Sequence, residues 1–350
     1  MAISKPAHIP GLDGVRGLAA LMIMFLHIVP NVDVINHPVL YYVRRVAIIG
    51  QCGVPLFFVL SGFLITRILL YSKSCPDYFK LFYIKRVLRI FPLYYLFLII
   101  SFFLVPYLAG SPLPDWGVTW YYYLYLQNIP MTFNLKVAEL PHLWSLAVEE
   151  HFYLVWPVII YCFSEKQTLR IIAGILIFAL LCRMLLLHLG IGTYYFTLTT
   201  FDSLAIGAFL AFNESHKWLN RKSMVKIGLL TLVPLMFAFP FVTGLGNNFV
   251  QCLKNPFISI FCMVLIGLVS MHYVRINYFF NNRFLRYTGK ISYGLYVFHP
   301  LAYGLISQHL RIGSFVVNMV VCFICAYLIA SLSYYGFELR FLRLKSRIIT

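Results

Sequence analysis

The sequence predicts an all-α, polytopic integral membrane protein with about ten transmembrane helices and both termini cytoplasmic. Three observations predict it. The 350 residues are 61% hydrophobic and 11% charged, with a mean hydropathy of +0.83, which leaves almost nothing for a soluble domain. Apolar stretches of about 20 residues recur along the chain, the length that crosses a bilayer's hydrocarbon core. Lys and Arg gather between those stretches on alternate sides, so the net charge of +17 reports orientation in the lipid bilayer and not a nucleic-acid partner. The eight cysteines lie mostly inside apolar stretches, Cys322 and Cys325 among them, and pack there as small hydrophobes; neither disulfides nor a metal site are expected. No linker or repeat interrupts the pattern, so residues 1–350 read as a single domain.

The first stretch, 17–31, is introduced by Asp13 and Arg16 and has no small-residue cleavage site behind it, so it reads as a helix and not as a signal peptide. It carries Arg16 and His27, eleven positions apart. At 100° per residue both fall on one helix face, about 16 Å apart along the axis, with Arg16 near a membrane surface and His27 near the midplane. That separation matches the reach of an extended pantetheine arm. An ionisable side chain at bilayer depth is costly and marks function. A base in mid-membrane with a cation at its doorway points to transfer chemistry.

Stretches 46–70 and 89–108 follow, and the third is preceded by Arg86 and Arg89 on its cytoplasmic side. An R-x-x-R presents two guanidinium forks on one face, a geometry suited to phosphates, although such residues also serve as inner-face anchors. WYYYLYLQNI at 120–129 is short and carries Gln127 and Asn128, which fits an interfacial or re-entrant piece. Were it to cross, every later loop would change sides and the charge asymmetry would be lost. Its Trp120, Tyr121, Tyr122 and Tyr123 form either an interfacial belt or a sugar-stacking surface.

The fourth stretch, 143–163, holds Trp144 and a polar stripe of Ser145, Glu149 and Tyr153 at four-residue spacing. On this topology His27 lies about 15 Å and Glu149 about 20 Å from the cytoplasmic face, close enough in depth for a carboxylate to orient the imidazole. Stretch 169–189 carries Arg183 and His188, a structural pair or an acceptor contact. Asp202 lies in 195–212 and His299, followed by Pro300, in 291–309, with 224–243 and 253–274 between them and 314–336 last. His27, Glu149, Asp202 and His299 come out near one level and outline a buried polar site, with His299 equally readable as a packed helix contact. The outer loops keep Arg44, Arg45, Lys136, Lys254 and Arg311, while the inner loops and tail hold the other Lys and Arg clusters.

LDGVRGLAALMIMFLH (12–27), GVPLFFVLSGFLIT (53–66), RVLRIFPLYY (86–95), HLWSLAVEEHFYLVWP (142–157), FDSLAIGAFLA (201–211) and KISYGLYVFHP (290–300) together resemble bacterial membrane acyltransferase family 3, the integral-membrane sugar O-acetyltransferases. The resemblance implies acetyl-CoA as a co-substrate, with no permanently bound cofactor, gripped on the cytoplasmic side by Arg86 and Arg89 with Arg16 at the channel mouth. It makes His27 the catalytic residue and Glu149 its partner, with Trp144, Ser145 and Tyr153 lining the same cavity; Asp202 and His299, near that level by their own positions, are further candidates for substrate binding. Two positions depart from the family pattern. Thr200 stands where an arginine is frequent two positions before Asp202, and Arg340 stands where a proline is usual, so Glu338 reads as structural. Relatives often fuse an extracytoplasmic SGNH-type esterase domain, and a stand-alone form is expected here.

The expected function is therefore O-acylation, most naturally acetylation, of a hydroxyl on a saccharide acceptor (O-antigen, exopolysaccharide or lipid-linked glycan) at the bacterial inner membrane. A transporter or flippase for a lipid-linked or small glycoside is the alternative, because charges at the midplane also mark substrate pathways.

Overall fold

The computed structural model describes residues 7–29, 38–238, 248–309 and 315–347. Arg311 and the margins of the expected stretches at 30–31, 239–243 and 314 lie outside them. Ten long helices run through the described residues: α1 (Pro10–Ile28), α2 (Gly53–Ser72), α3 (Tyr78–Ile99), α4 (Trp144–Cys162), α5 (Glu165–His188), α6 (Thr197–His216), α7 (Arg221–Ala238), α8 (Asn248–Ser270), α9 (Arg283–His309) and α10 (Phe315–Ser333). No strand occurs among the described residues. In a bilayer only structures that satisfy their own backbone hydrogen bonds are viable, and helices do so within each segment.

Among the described residues seven helical segments are long and apolar enough to cross a membrane: Pro10–Ile28, Tyr42–Ser72, Tyr78–Leu108, Pro141–Cys162, Glu165–His188, Val250–Ser270 and Val316–Leu344. They contain α1 to α5, most of α8 and almost all of α10. The other three helices are more polar, α6 through Asp202 and its threonines, α7 through Arg221, Lys222 and Lys226, and α9 through the cations of its first turns. The stretch at 120–129 forms the end of a helix at Trp116–Tyr123, a turn, and the start of a helix at Asn128–Thr132. An eight-residue helix rises only about 12 Å, so this piece is too short to cross. Its Gln127 and Asn128 are fully buried; Gln127 donates to the Leu143 carbonyl at 2.7 Å, and Asn128 donates to Thr197 Oγ1 at 2.8 Å.

The chain forms two compact units, the first built from Met1–Leu12, Pro55–Phe79 and Pro114–Asn277, the second from Asp13–Val54, Lys80–Leu113 and Tyr278–Thr350. In the first, α2 and α6 touch backbone to backbone: a Cβ added at Gly62 would meet the carbonyl of Leu204, and one at Gly207 that of Val59. Without water to expel, helices in lipid associate through close approach at small residues and through hydrogen bonds across the contact. Both devices are present, since Trp156 Nε1 donates to Thr66 Oγ1 at 2.7 Å between α4 and α2, and Arg67 pairs with Glu214 at 2.6 Å between α2 and α6.

In the second unit the same device joins α1 to the start of α9. A Cβ at Gly17 would run into the Leu285 carbonyl and one at Gly289 into that of Asp13. Further along α9, Met24, Ile291, Leu295, Ala302, Ala326 and Ala330 form a continuous buried cluster. Hydrogen bonds from Tyr287 to Ser331 (2.8 Å) and between Thr288 and Tyr327 (2.7 Å) fix α10 on α9, and Tyr293 donates to the Ile90 carbonyl of α3 at 2.8 Å. After α10 a π-helical turn, Tyr334–Glu338, leads into the helix Leu339–Arg347.

Candidate active site

His27 stands in the last turn of α1, and its Nδ1 lies 2.7 Å from Nε2 of His299 on α9. The two rings have centroids 5.0 Å apart and planes only 7° apart. With the nitrogens in hydrogen-bond contact, that geometry places the rings edge to edge in nearly one plane, which is what an N–H···N bond requires. The far side of His299 sets the direction of this bond. Its Nδ1 faces the backbone carbonyls of Tyr296 at 2.8 Å and Leu295 at 3.1 Å, and carbonyls only accept, so Nδ1 of His299 carries the proton. Neutral His299 then offers a lone pair at Nε2, His27 donates to it through Nδ1–H, and the lone pair of His27 is left at its own Nε2. His299 is 2% exposed, whereas His27 is an exposed side chain. A buried ring thus fixes the tautomer of an accessible one, the arrangement of a general base with its orienting partner.

On the same helix as His27, Arg16 lines a cavity of about 440 Å³ in the second unit, together with Arg89 of α3. Asp13 approaches Arg16 at 3.5 Å. Glu338 lines this cavity too, although its sequence context reads as structural; the π-helical turn carries both Tyr334 and Glu338 into the wall, and Ser333 donates to Glu338 Oε1 at 3.1 Å. Such a turn has no simple sequence signature, so the position is visible only in the structure. Arg86 is not among the lining residues, and its guanidinium lies 5.7 Å above the Phe82 ring.

In the first unit the polar stripe of α4 is realised. Tyr153 OH donates to Glu149 Oε2 at 2.7 Å. Because that proton is committed, the Ser61 hydroxyl of α2, 2.5 Å from the same oxygen, is the donor to it, giving a directed chain Ser61 to Tyr153 to Glu149. Ser61 was not singled out by the sequence, where it is one hydroxyl within an apolar run. Trp144, 4% exposed, packs among aromatic rings, with Tyr194 at 4.8 Å, Tyr195 at 5.5 Å and Phe58 at 5.9 Å between centroids, and Ser145 beside it is buried.

Asp202 belongs to a different network. Its Oδ2 receives Nη2 of Arg183 at 2.7 Å, and its Oδ1 accepts the Ser203 amide at 2.8 Å. Arg183 also donates to the Thr199 carbonyl. Both side chains of the pair are 1% exposed. The sequence left Arg183 beside His188; the structure gives it to Asp202, so an arginine from α5 meets the acid of α6 that has Thr200 two positions before it. Among the described residues no group of three or more His, Cys, Asp or Glu could hold a metal ion.

A family model described as an acyltransferase domain matches residues 9–335. The chain is 28% identical over 319 residues to peptidoglycan O-acetyltransferase OatA of Listeria monocytogenes, a match that covers 83% of this chain and 49% of the relative. It is 28% identical over 322 residues to O-acetyltransferase OatA of Staphylococcus aureus, covering 84% of this chain and 50% of the relative. The chain therefore spans about half the length of these relatives. No solved structure gives a significant match.

Proposed function

The chain belongs to the acyltransferase domain family, and from that membership we propose that it is a membrane-bound O-acetyltransferase moving an acetyl group from cytoplasmic acetyl-CoA to a hydroxyl of a cell-envelope glycan. The observation that carries the proposal is the His27–His299 pair, because it leaves an imidazole lone pair on an accessible ring at the end of a helix whose other end bears Arg16. His27 Nε2 takes the proton from the acceptor hydroxyl as its oxygen attacks the thioester carbonyl. The C–S bond breaks, and the CoA sulfur receives that proton from His27, leaving an ester and a free thiol. The imidazolium formed in between stays hydrogen-bonded through His299 to the α9 backbone, which spreads its charge without moving the ring.

Arg16 and Arg89, which line the cavity, hold the phosphate end of the donor and act by positioning its thioester, with Arg86 of the same R-x-x-R outside the cavity and secondary to them. Glu149 is the proposed carboxylate partner of the reaction, supported by its place at the end of the Ser61–Tyr153 chain. Trp144, Ser145 and Tyr153 are proposed for the acceptor side, where flat aromatic faces suit a sugar ring. The names of the relatives favour peptidoglycan over O-antigen as the acceptor. The proposed location is the inner membrane of a bacterium.

The test uses the purified chain in nanodiscs with radiolabelled acetyl-CoA and envelope glycans, wild type beside His27→Ala, following free CoA and labelled glycan. CoA release and glycan labelling by wild type alone support the assignment. Full activity in His27→Ala overturns the mechanism, and glycan movement with no thioester consumed replaces the enzyme by a flippase.

A further inference from the structure

The cavity that holds Arg16 and Arg89 has three more cations in its wall, Arg283, Arg286 and Lys290 of α9. They occupy positions i, i+3 and i+7, so at 100° per residue they fall within about 60° of one another and make one basic stripe. Five cations thus surround a concavity that contains two carboxylates, Asp13 and Glu338, a formal excess of three positive charges (5 − 2 = 3). Neither acid neutralises the stripe: Asp13 is engaged with Arg16 and Glu338 with Ser333. Among the described residues Arg283 and Arg286 form no ion pair, and Lys290 reaches Tyr335 OH at 3.4 Å and lies 5.1 Å from the Tyr334 ring. Inner-face cations ordinarily answer to lipid headgroups, but that role does not call for five of them around one hollow of about 440 Å³, a volume in the range of small-molecule sites. Like charges gathered in a concave site favour an anion that fills it. The stripe begins at the first residue of a 27-residue helix, whose N-terminal end is the positive end of its dipole.

We propose that Arg283, Arg286 and Lys290 bind the ribose phosphate of the donor nucleotide, while Arg16 and Arg89 hold its pyrophosphate. This rests on acyl-CoA being the donor. The division follows from connectivity. The pyrophosphate is the group joined to the pantetheine arm, and Arg16 shares its helix face with His27, where the arm must lead. The ribose phosphate branches off away from the arm and falls to the remaining cations of the wall, the α9 stripe.

The experiment measures the affinity of the full-length protein, in nanodiscs of zwitterionic lipid, for CoA and for dephospho-CoA, which lacks only the ribose phosphate. Wild type is expected to bind CoA about 10-fold or more tightly than dephospho-CoA, the difference a charged hydrogen-bonded contact makes. The double variant Arg283→Gln/Arg286→Gln is expected to bind both ligands as wild type binds dephospho-CoA, and that retained binding also reports a folded protein. Lys85→Gln, a cation of α3 outside the cavity, is expected to keep the preference. A double variant that still prefers CoA overturns the assignment of the stripe and leaves the donor intact. A wild type that binds neither ligand overturns the donor and the stripe together. A variant that changes only association with phosphatidylglycerol discs, with the CoA preference kept, assigns the stripe to lipid headgroups and overturns the proposal.

Discussion

Nδ1 of His27 and Nε2 of His299 are 2.7 Å apart across two helices whose sequences are 272 positions apart. His299 is held in turn by the carbonyls of Tyr296 and Leu295, so one proton arrangement is favoured along the whole chain of atoms. The consequence is directional: a side chain buried in α9 decides which nitrogen of His27 is basic.

His299 is therefore a positioning residue, and its loss should act on turnover. His299→Leu removes the acceptor for the His27 proton and lets the other tautomer compete, with an expected fall in kcat of about 10²-fold or more at nearly unchanged KM for the donor. His299→Gln can still present an amide oxygen to His27 Nδ1–H and should recover part of that loss. Equal, wild-type kcat in both variants would show that the pair is a packing contact only.

Arg86 and Arg89 separate in the structure although the R-x-x-R spacing treats them alike. Arg89 lines the cavity, whereas Arg86 lies over Phe82. Arg89→Ala is expected to raise KM for acetyl-CoA by about 10- to 100-fold with kcat kept, the size of a lost charged hydrogen bond. Arg86→Ala should have the smaller effect. Initial rates over a donor titration decide it, and an equal rise in KM for both would mean that the two arginines act as one unit.

The register of Arg16 against α9 depends on two glycines. Gly17 and Gly289 leave no room for a Cβ, since each would meet a backbone carbonyl of the opposite helix. Gly17→Ala and Gly289→Ala should each lower thermal stability in detergent and raise KM for the donor, because α1 and α9 must separate. Gly174 in α5 has open space around it, and Gly174→Ala is expected to be neutral or to stabilise by about 0.4–1 kcal/mol. Identical melting curves for all three variants would show that the α1–α9 contact is looser than its geometry.

These contrasts mark where the sequence is legible. Helix positions, the polar stripe of Glu149 and Tyr153, and the shared face of Arg16 and His27 follow from local spacing, which is what a 3.6-residue period encodes. The partner of His27 does not, because it depends on how α1 and α9 are set against each other, and that register is fixed by steric approach at Gly17 and Gly289. Arg183 and Asp202 were each visible as costly charges in apolar segments, yet Arg183 to His188 is a five-residue step, about 140° off one face, and the true partner stands on the next helix. Glu338 was hidden by its π-helical turn, which shifts the facing of side chains by a fraction of a turn relative to an α-helix.

The Arg183–Asp202 pair offers the sharpest separation of structure from catalysis. Both charges are 1% exposed, and they lie 2.7 Å apart as each other's ion-pair partner. Removing one partner leaves a buried charge uncompensated, at a cost of about 3–5 kcal/mol, whereas replacing both by apolar residues of similar volume is often neutral. Asp202→Asn is therefore expected to lower the melting temperature strongly and to leave KM for donor and acceptor unchanged in the folded fraction. Arg183→Met combined with Asp202→Leu should recover most of the lost stability. An Asp202→Asn protein that melts like wild type but turns over slowly would place Asp202 against the acceptor, and the ion pair would then be a means of holding a reactive carboxylate in place.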